Sequence, residues 1–204
     1  VLINGGVCSE ISNFEYIENP DQPFPSTNRS WGYFEKGESS FPFESGIILT
    51  SGKALDAVGP DYGDVVSYGD MFGWDGDSDA TELAEYDSYN ATYFEFDFIP
   101  FGNEISFNYI FASEEYPDYV CGFEYNDTFG FIISGPGITN DPGLSGKNIA
   151  LLPNGNPVTI QNVNDQGCGD DTYYVPGADL NYFSDIQYGG RTIPLTASAE
   201  VIPG

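Results

Sequence analysis

The sequence contains no histidine, five Lys and Arg residues in total, three cysteines, two tryptophans and one methionine. Each scarcity closes a route. Without histidine there is no Ser-His-Asp or Cys-His machinery and no His-ligated zinc or haem. Five scattered cations cannot form the basic footprint that nucleic acid requires. Against 32 Asp and Glu they leave a formal net charge of −27, which an anionic membrane surface repels. No run approaches 18 apolar residues, so no membrane-spanning helix and no direct membrane insertion are expected. The chain begins at Val1 without a signal-peptide pattern and reads as processed or excised.

What is present points to a folded protein. Aromatic residues make up 16% of 204 residues, far more than a solvated acidic tail carries. Alternation has the period of two that strands require. Phe94, Phe96 and Phe98 alternate with Glu95 and Asp97, and Ile105, Phe107, Tyr109 and Phe111 alternate with Ser106 and Asn108. With Pro100, Gly102 and Asn103 between them, these two runs are expected to form a hairpin. Phe129, Phe131 and Ile133 predict a third strand. Shorter candidates are 14–17, 46–50, 148–152, 158–163 and 192–199. Residues 79–86 predict a short helix behind an Asp cap. The fold class expected is all-β, a β-sandwich with long acidic loops and one or two short helices, in a single domain over 1–204.

Many uncompensated carboxylates destabilise a compact state, and calcium is the hard cation that their oxygens suit. Three segments qualify. Asp75, Asp77 and Asp79 alternate around Gly76, although Tyr86 stands where an EF-hand needs its last Glu. Glu114, Glu115 and Asp118 follow the strand ending at Phe111, and Asn126 with Asp127 precede Phe129. All eight are expected metal ligands if the two strands bring the loops to one end; a plain solvated acidic surface is the alternative. Adjacent Glu114 and Glu115 would face opposite ways in an extended chain, a poor glycosidase pair, so no enzymatic activity is expected. The long loops 51–90 and 112–127 are rich in aromatics, including Tyr62, Tyr68, Phe72 and Phe123. From them Trp74, Tyr116, Tyr119 and Tyr125 are candidate ligand contacts. Cys8, Cys121 and Cys168 show no metal-binding spacing and read as an extracellular set, one disulfide plus one leftover. Cys121–Cys168 is the expected pair, since both lie in Gly/Asn/Asp-rich loop sequence.

Several strings together resemble the bacterial choice-of-anchor L domain family. They are Phe43-Glu44-Ser45-Gly46-Ile47-Ile48-Leu49-Thr50-Ser51-Gly52, Gly76-Asp77-Ser78-Asp79, Phe94 through Pro100 and Phe111-Ala112-Ser113-Glu114-Glu115-Tyr116. Asn126 through Phe131, Ser134-Gly135-Pro136-Gly137 and Asn148-Ile149-Ala150-Leu151 complete the set. The chain is also similar to the calcium-dependent peptide-binding modules of large surface adhesins. The resemblance implies a secreted or bacterial cell-surface protein of adhesin type, with bound calcium and an extracellular peptide, protein or glycan ligand. It also permits a disulfide near 121 and 168, and it implies further strands and a cysteine beyond the final run. Gly204 stands where that cysteine tends to fall, so closing strands are expected to be missing and Cys8 to have lost its partner. A structural reading stands beside the binding one, a spacer or filament subunit whose last strand a neighbouring chain donates. A carbohydrate-binding module is the third.

Overall fold

The structure, a computed structural model, describes residues 8–60, 73–122, 124–177 and 186–204. Its strands are β1 (Cys8–Ile17), β2 (Trp31–Glu35), β3 (Ser45–Leu49), β4 (Tyr93–Pro100), β5 (Glu104–Tyr109), β6 (Ala112–Ser113) and β7 (Thr128–Phe129). After them come β8 (Ile132–Ile133), β9 (Lys147–Asn148), β10 (Val158–Thr159), β11 (Tyr174–Pro176), β12 (Gly190–Thr192) and β13 (Leu195–Glu200). One α-helix, α1 (Ser78–Ala84), lies before β4. The fold is all-β, as the sequence predicts, and its strands form several small antiparallel sheets.

The expected hairpin of β4 with β5 does not form. β4 pairs with β1, and β5 pairs with β13 over six residues from Leu195↔Tyr109 to Glu200↔Glu104. Short-range adjacency loses here to partners distant in sequence whose ladders run nearly the full length of each strand. The Phe94, Phe96, Phe98 alternation survives as a half-covered face opposite an exposed one. The run 129–133 is broken in two for a packing reason. Gly130 lets the Leu83 side chain of α1 approach so closely that a Cβ there would sit 2.8 Å from it. The Asn148 side chain repairs the interrupted ladder, its Oδ1 accepting from Phe131 N and Ala150 N.

The core belongs to the second half of the chain. Ala150, Val158, Ile160, Val163 and Ala197 are wholly buried, and Tyr109, Phe111 and Tyr116 join their cluster. The helix begins where the Asp-rich run allows. Asp77, not Asp79, is its cap: the Asp77 side chain accepts from Asp79 N at 2.8 Å and Ala80 N at 3.0 Å, satisfying two orphan donors. Glu85 closes the helix in a left-handed conformation, φ 61°.

Candidate functional site

Two of the three acidic segments meet, and Ser113 joins them. Its hydroxyl, at the end of β6, donates to Asp127 Oδ2 at 2.6 Å and accepts from Glu115 N at 3.0 Å. β6 and β7 are not sheet neighbours, so a side chain, rather than the strand pairing assumed from the sequence, makes the junction. Tyr116 follows, 3% exposed, its ring 4.9 Å from that of Tyr174. The Tyr116 hydroxyl is buried and has no hydrogen-bond partner among the described residues. Behind this turn lies Gly189, where a Cβ would stand 2.1 Å from Tyr116 O.

The electrostatics follow from this enclosure. Asp127 is exposed as a residue; partial desolvation of its carboxyl pushes its pKa up, with the Ser113 bond acting against the rise. Burial first, then the charges of Asp127 and Glu114, push Glu115 up to about 7. The Tyr116 hydroxyl is also raised, by burial, then Tyr174 and Asp127. Tyr188, whose hydroxyl shares a 3.4 Å hydrogen bond with Thr50, is raised by burial, with Asp56, Glu114 and Asp127 adding to it. Among the described residues, none of the groups acting on Glu115 or Asp127 is a cation.

A carboxyl raised in the folded state favours folding while protonated. Stability from Glu115 is therefore fully present below its unfolded value of 4.5 and is lost as pH rises through about 7. In chelator, Glu115→Gln should flatten the fall in urea midpoint between pH 5 and pH 8 and be the more stable protein at pH 8. An unchanged slope would contradict this account of the cluster.

The remaining candidates are placed elsewhere. Asp77 is the cap of α1, and Asp79 binds the backbone N–H and the hydroxyl of Ser145. Asn126 donates to Ala84 O at 2.8 Å, fastening the far end of α1 to the start of β7. Asp75 and Asp118 are exposed, Asp75 being held through its backbone to Tyr89 and Ala91. Seven helical residues, roughly 10 Å of rise, lie between the Asp77 cap and the Asn126 contact. Thus the eight predicted ligands do not converge. Among the described residues no group of three or more His, Cys, Asp or Glu side chains stands close enough to hold a metal ion. Glu114, Glu115 and Asp127 share one neighbourhood.

Of the aromatic candidates, Trp74 is 8% exposed and its indole N–H donates to Ala91 O at 2.7 Å, so it packs as a wall residue and not as an open ligand contact. Tyr116 is likewise inside. Tyr119 and Tyr125 are nearly half exposed and lie edge to face, centroids 5.6 Å apart. Tyr62, Tyr68, Phe72 and Phe123 lie outside the described residues. The expected Cys121–Cys168 disulfide is present, with Cα atoms 5.5 Å apart. Gln161, missed in the sequence, ties it to the tyrosines: its side chain accepts from Cys121 N and donates to Tyr125 O, both at 2.9 Å. Tyr188 and Gly189 were also missed, and the only hint was the adjacent pair Gly189-Gly190.

The sequence profile of the Choice-of-anchor L domain matches residues 1–204, and the chain belongs to that family. Membership implies a bacterial protein that is anchored at the cell surface or secreted. No helix among the described residues is long and apolar enough to cross a membrane. We found no match among curated proteins and none among solved structures.

Proposed function

We propose that this domain is an extracellular binding module, not an enzyme, and that it holds a peptide ligand in a calcium-dependent manner at the 113–127 tip. One observation carries the reading. Ser113 gathers the Asp127 carboxyl and the Glu115 turn into one carboxyl neighbourhood, and the hydroxyl of the adjoining residue Tyr116 is buried without a hydrogen-bond partner among the described residues. Carboxyls brought together in this way are hard oxygen donors, the kind calcium takes. Asp127 and Glu115 would hold the ion, with Glu114 contributing to the same field. Bound calcium supplies positive charge, which turns the mutual repulsion of these carboxyls into attraction and offers a counter-charge to a ligand carboxylate.

The chain's own groups then shape the surface. Tyr119 and Tyr125 expose aromatic area of the kind that anchors peptides, and Gln161 fixes the backbone that carries Tyr125. Titration calorimetry tests the proposal. Chelator-treated protein should give binding heat with calcium in the millimolar range or below. Asp127→Asn should abolish the heat and Asp75→Asn should retain it. Absence of heat from the wild-type protein would overturn the calcium-dependent reading.

A further inference from the structure

β1 is ten residues long, and among the described residues β4 is its sole strand partner. From Glu10 to Ile17 every residue is exposed. The register sorts the β1–β4 ribbon into two chemically distinct faces. Ile11 stands opposite Phe98 and Tyr16 opposite Phe94 on one face; Ser12 opposite Asp97 and Glu15 opposite Glu95 lie on the other, which carries the carboxylates together with Ile17 opposite Tyr93 and Glu10 opposite Ile99 at its ends. Ring contacts add Phe14 to the first face, its centroid 5.4 Å from that of Phe94. On the β4 side this apolar face is half covered, whereas Ile11, Phe14 and Tyr16 are 53%, 54% and 45% exposed. The apolar surface therefore overhangs beyond β1, where a further strand would continue it.

The acidic face sets the charge of what fits there. Glu15 directly opposite Glu95 is a like-charge pair, an arrangement that weakens a ladder unless something cationic lies over it. Asn13 donates to Asp97 at 2.6 Å but brings no charge. Arg29, the cation beside this end of the ribbon, is stacked over Phe24 and Trp31 and donates to Trp31 O. A second copy of the chain is a poor occupant. It would set Glu10 and Glu15 against their own counterparts, between molecules of charge −27 each.

We propose that the free edge of β1 accepts, by strand addition, an extended segment of a partner protein in which apolar residues alternate with Lys or Arg. The apolar side chains lie beside Ile11, Phe14 and Tyr16, and the cations lie over Glu10, Glu15, Glu95 and Asp97. Backbone ladder bonds supply affinity, and the two faces supply direction and selectivity. This surface is independent of the carboxyl cluster at Asp127, so it operates without calcium.

The probe is an acetylated nonapeptide alternating Val and Lys. Its controls are a Val/Glu peptide and a Gly/Lys peptide of the same charge, all titrated onto the whole chain in chelator by fluorescence anisotropy. The Val/Lys peptide should bind at least about tenfold more tightly than either control. Backbone amides of residues 11–16 should exchange more slowly in its presence. The double variant Glu10→Lys/Glu15→Lys should weaken binding at least about tenfold, and Asp127→Asn should leave it unchanged. Equal binding of the Gly/Lys peptide would reduce the effect to bulk charge and overturn the proposal. Absence of binding, absence of exchange protection in the wild-type ribbon, or self-association through this edge seen by sedimentation would overturn it as well.

Discussion

Replacing both cysteines, Cys121→Ser with Cys168→Ser, is expected to cost about 4 kcal/mol of unfolding free energy, the chain-entropy value for a bridge spanning 47 residues. At this chain length that corresponds to a fall in Tm of roughly 8–16 °C. The bridge closes the segment that carries Tyr125, Asp127, β7, β8, β9 and β10, together with the buried residues Val158, Ile160 and Val163. Cross-linking the denatured chain there restricts a large part of what must otherwise be ordered around the core. Urea unfolding of the wild type and the double variant measures the loss directly. Because Gln161 still holds Cys121 N and Tyr125 O in the variant, the circular dichroism of the native state should be unchanged below the transition. A loss below about 1 kcal/mol would show that the denatured chain gains little freedom when the bridge is removed.

Gly189→Ala should be nearly as damaging, by another mechanism. A Cβ at this position would stand 2.1 Å from the Tyr116 carbonyl and 3.4 Å from that of Glu114. Both obstacles are backbone atoms of the turn that presents Glu115, so relief requires the turn itself to move. Overpacking of this kind costs about 2–3 kcal/mol. The displacement also separates Ser113 from its partners, so binding heat with calcium should fall along with stability. Gly102→Ala is the matched control. A Cβ there meets nothing within 4 Å, and its effect should lie within about 0.5 kcal/mol of zero. Equal effects of the two substitutions would refute the close approach.

How much of this was legible in the sequence depends on the range of the interaction involved. The Phe94, Phe96, Phe98 alternation reports a strand with two unlike faces, because side-chain direction alternates locally. Its partner was not legible: nothing near residues 94–98 encodes that β1, some 80 positions earlier, outcompetes the adjacent β5. The break at Gly130-Phe131 was hidden for a similar reason, since it depends on Leu83 and Asn148 arriving from elsewhere.

The run Trp74-Asp75-Gly76-Asp77-Ser78-Asp79 shows a subtler limit. A helix cap and a calcium loop both use short oxygen-bearing side chains such as Asp, so the local pattern cannot separate them. The structure assigns Asp77 to the cap. It assigns Gly76 to the passage of Ser88, whose carbonyl lies 1.9 Å from where a Cβ would be. The pairing of Glu115 with Asp127 was more accessible. Two acidic segments flanking strands of one domain invite a common location, although the linking group, Ser113, has too ordinary a chemistry to announce itself.

The two tryptophans occupy unlike settings, and this gives the molecule a pair of built-in optical reporters. Trp74 is enclosed beside α1, whereas Trp31 lies in the open ring cluster of Phe24, Tyr16 and Phe94 with the Arg29 guanidinium over its face. Intrinsic emission from the native chain therefore sums a shielded, blue-shifted source and a water-touched one. Exciting a Trp74→Phe protein would isolate the ribbon's signal, and a Trp31→Phe protein would isolate that of the helix, without any attached dye.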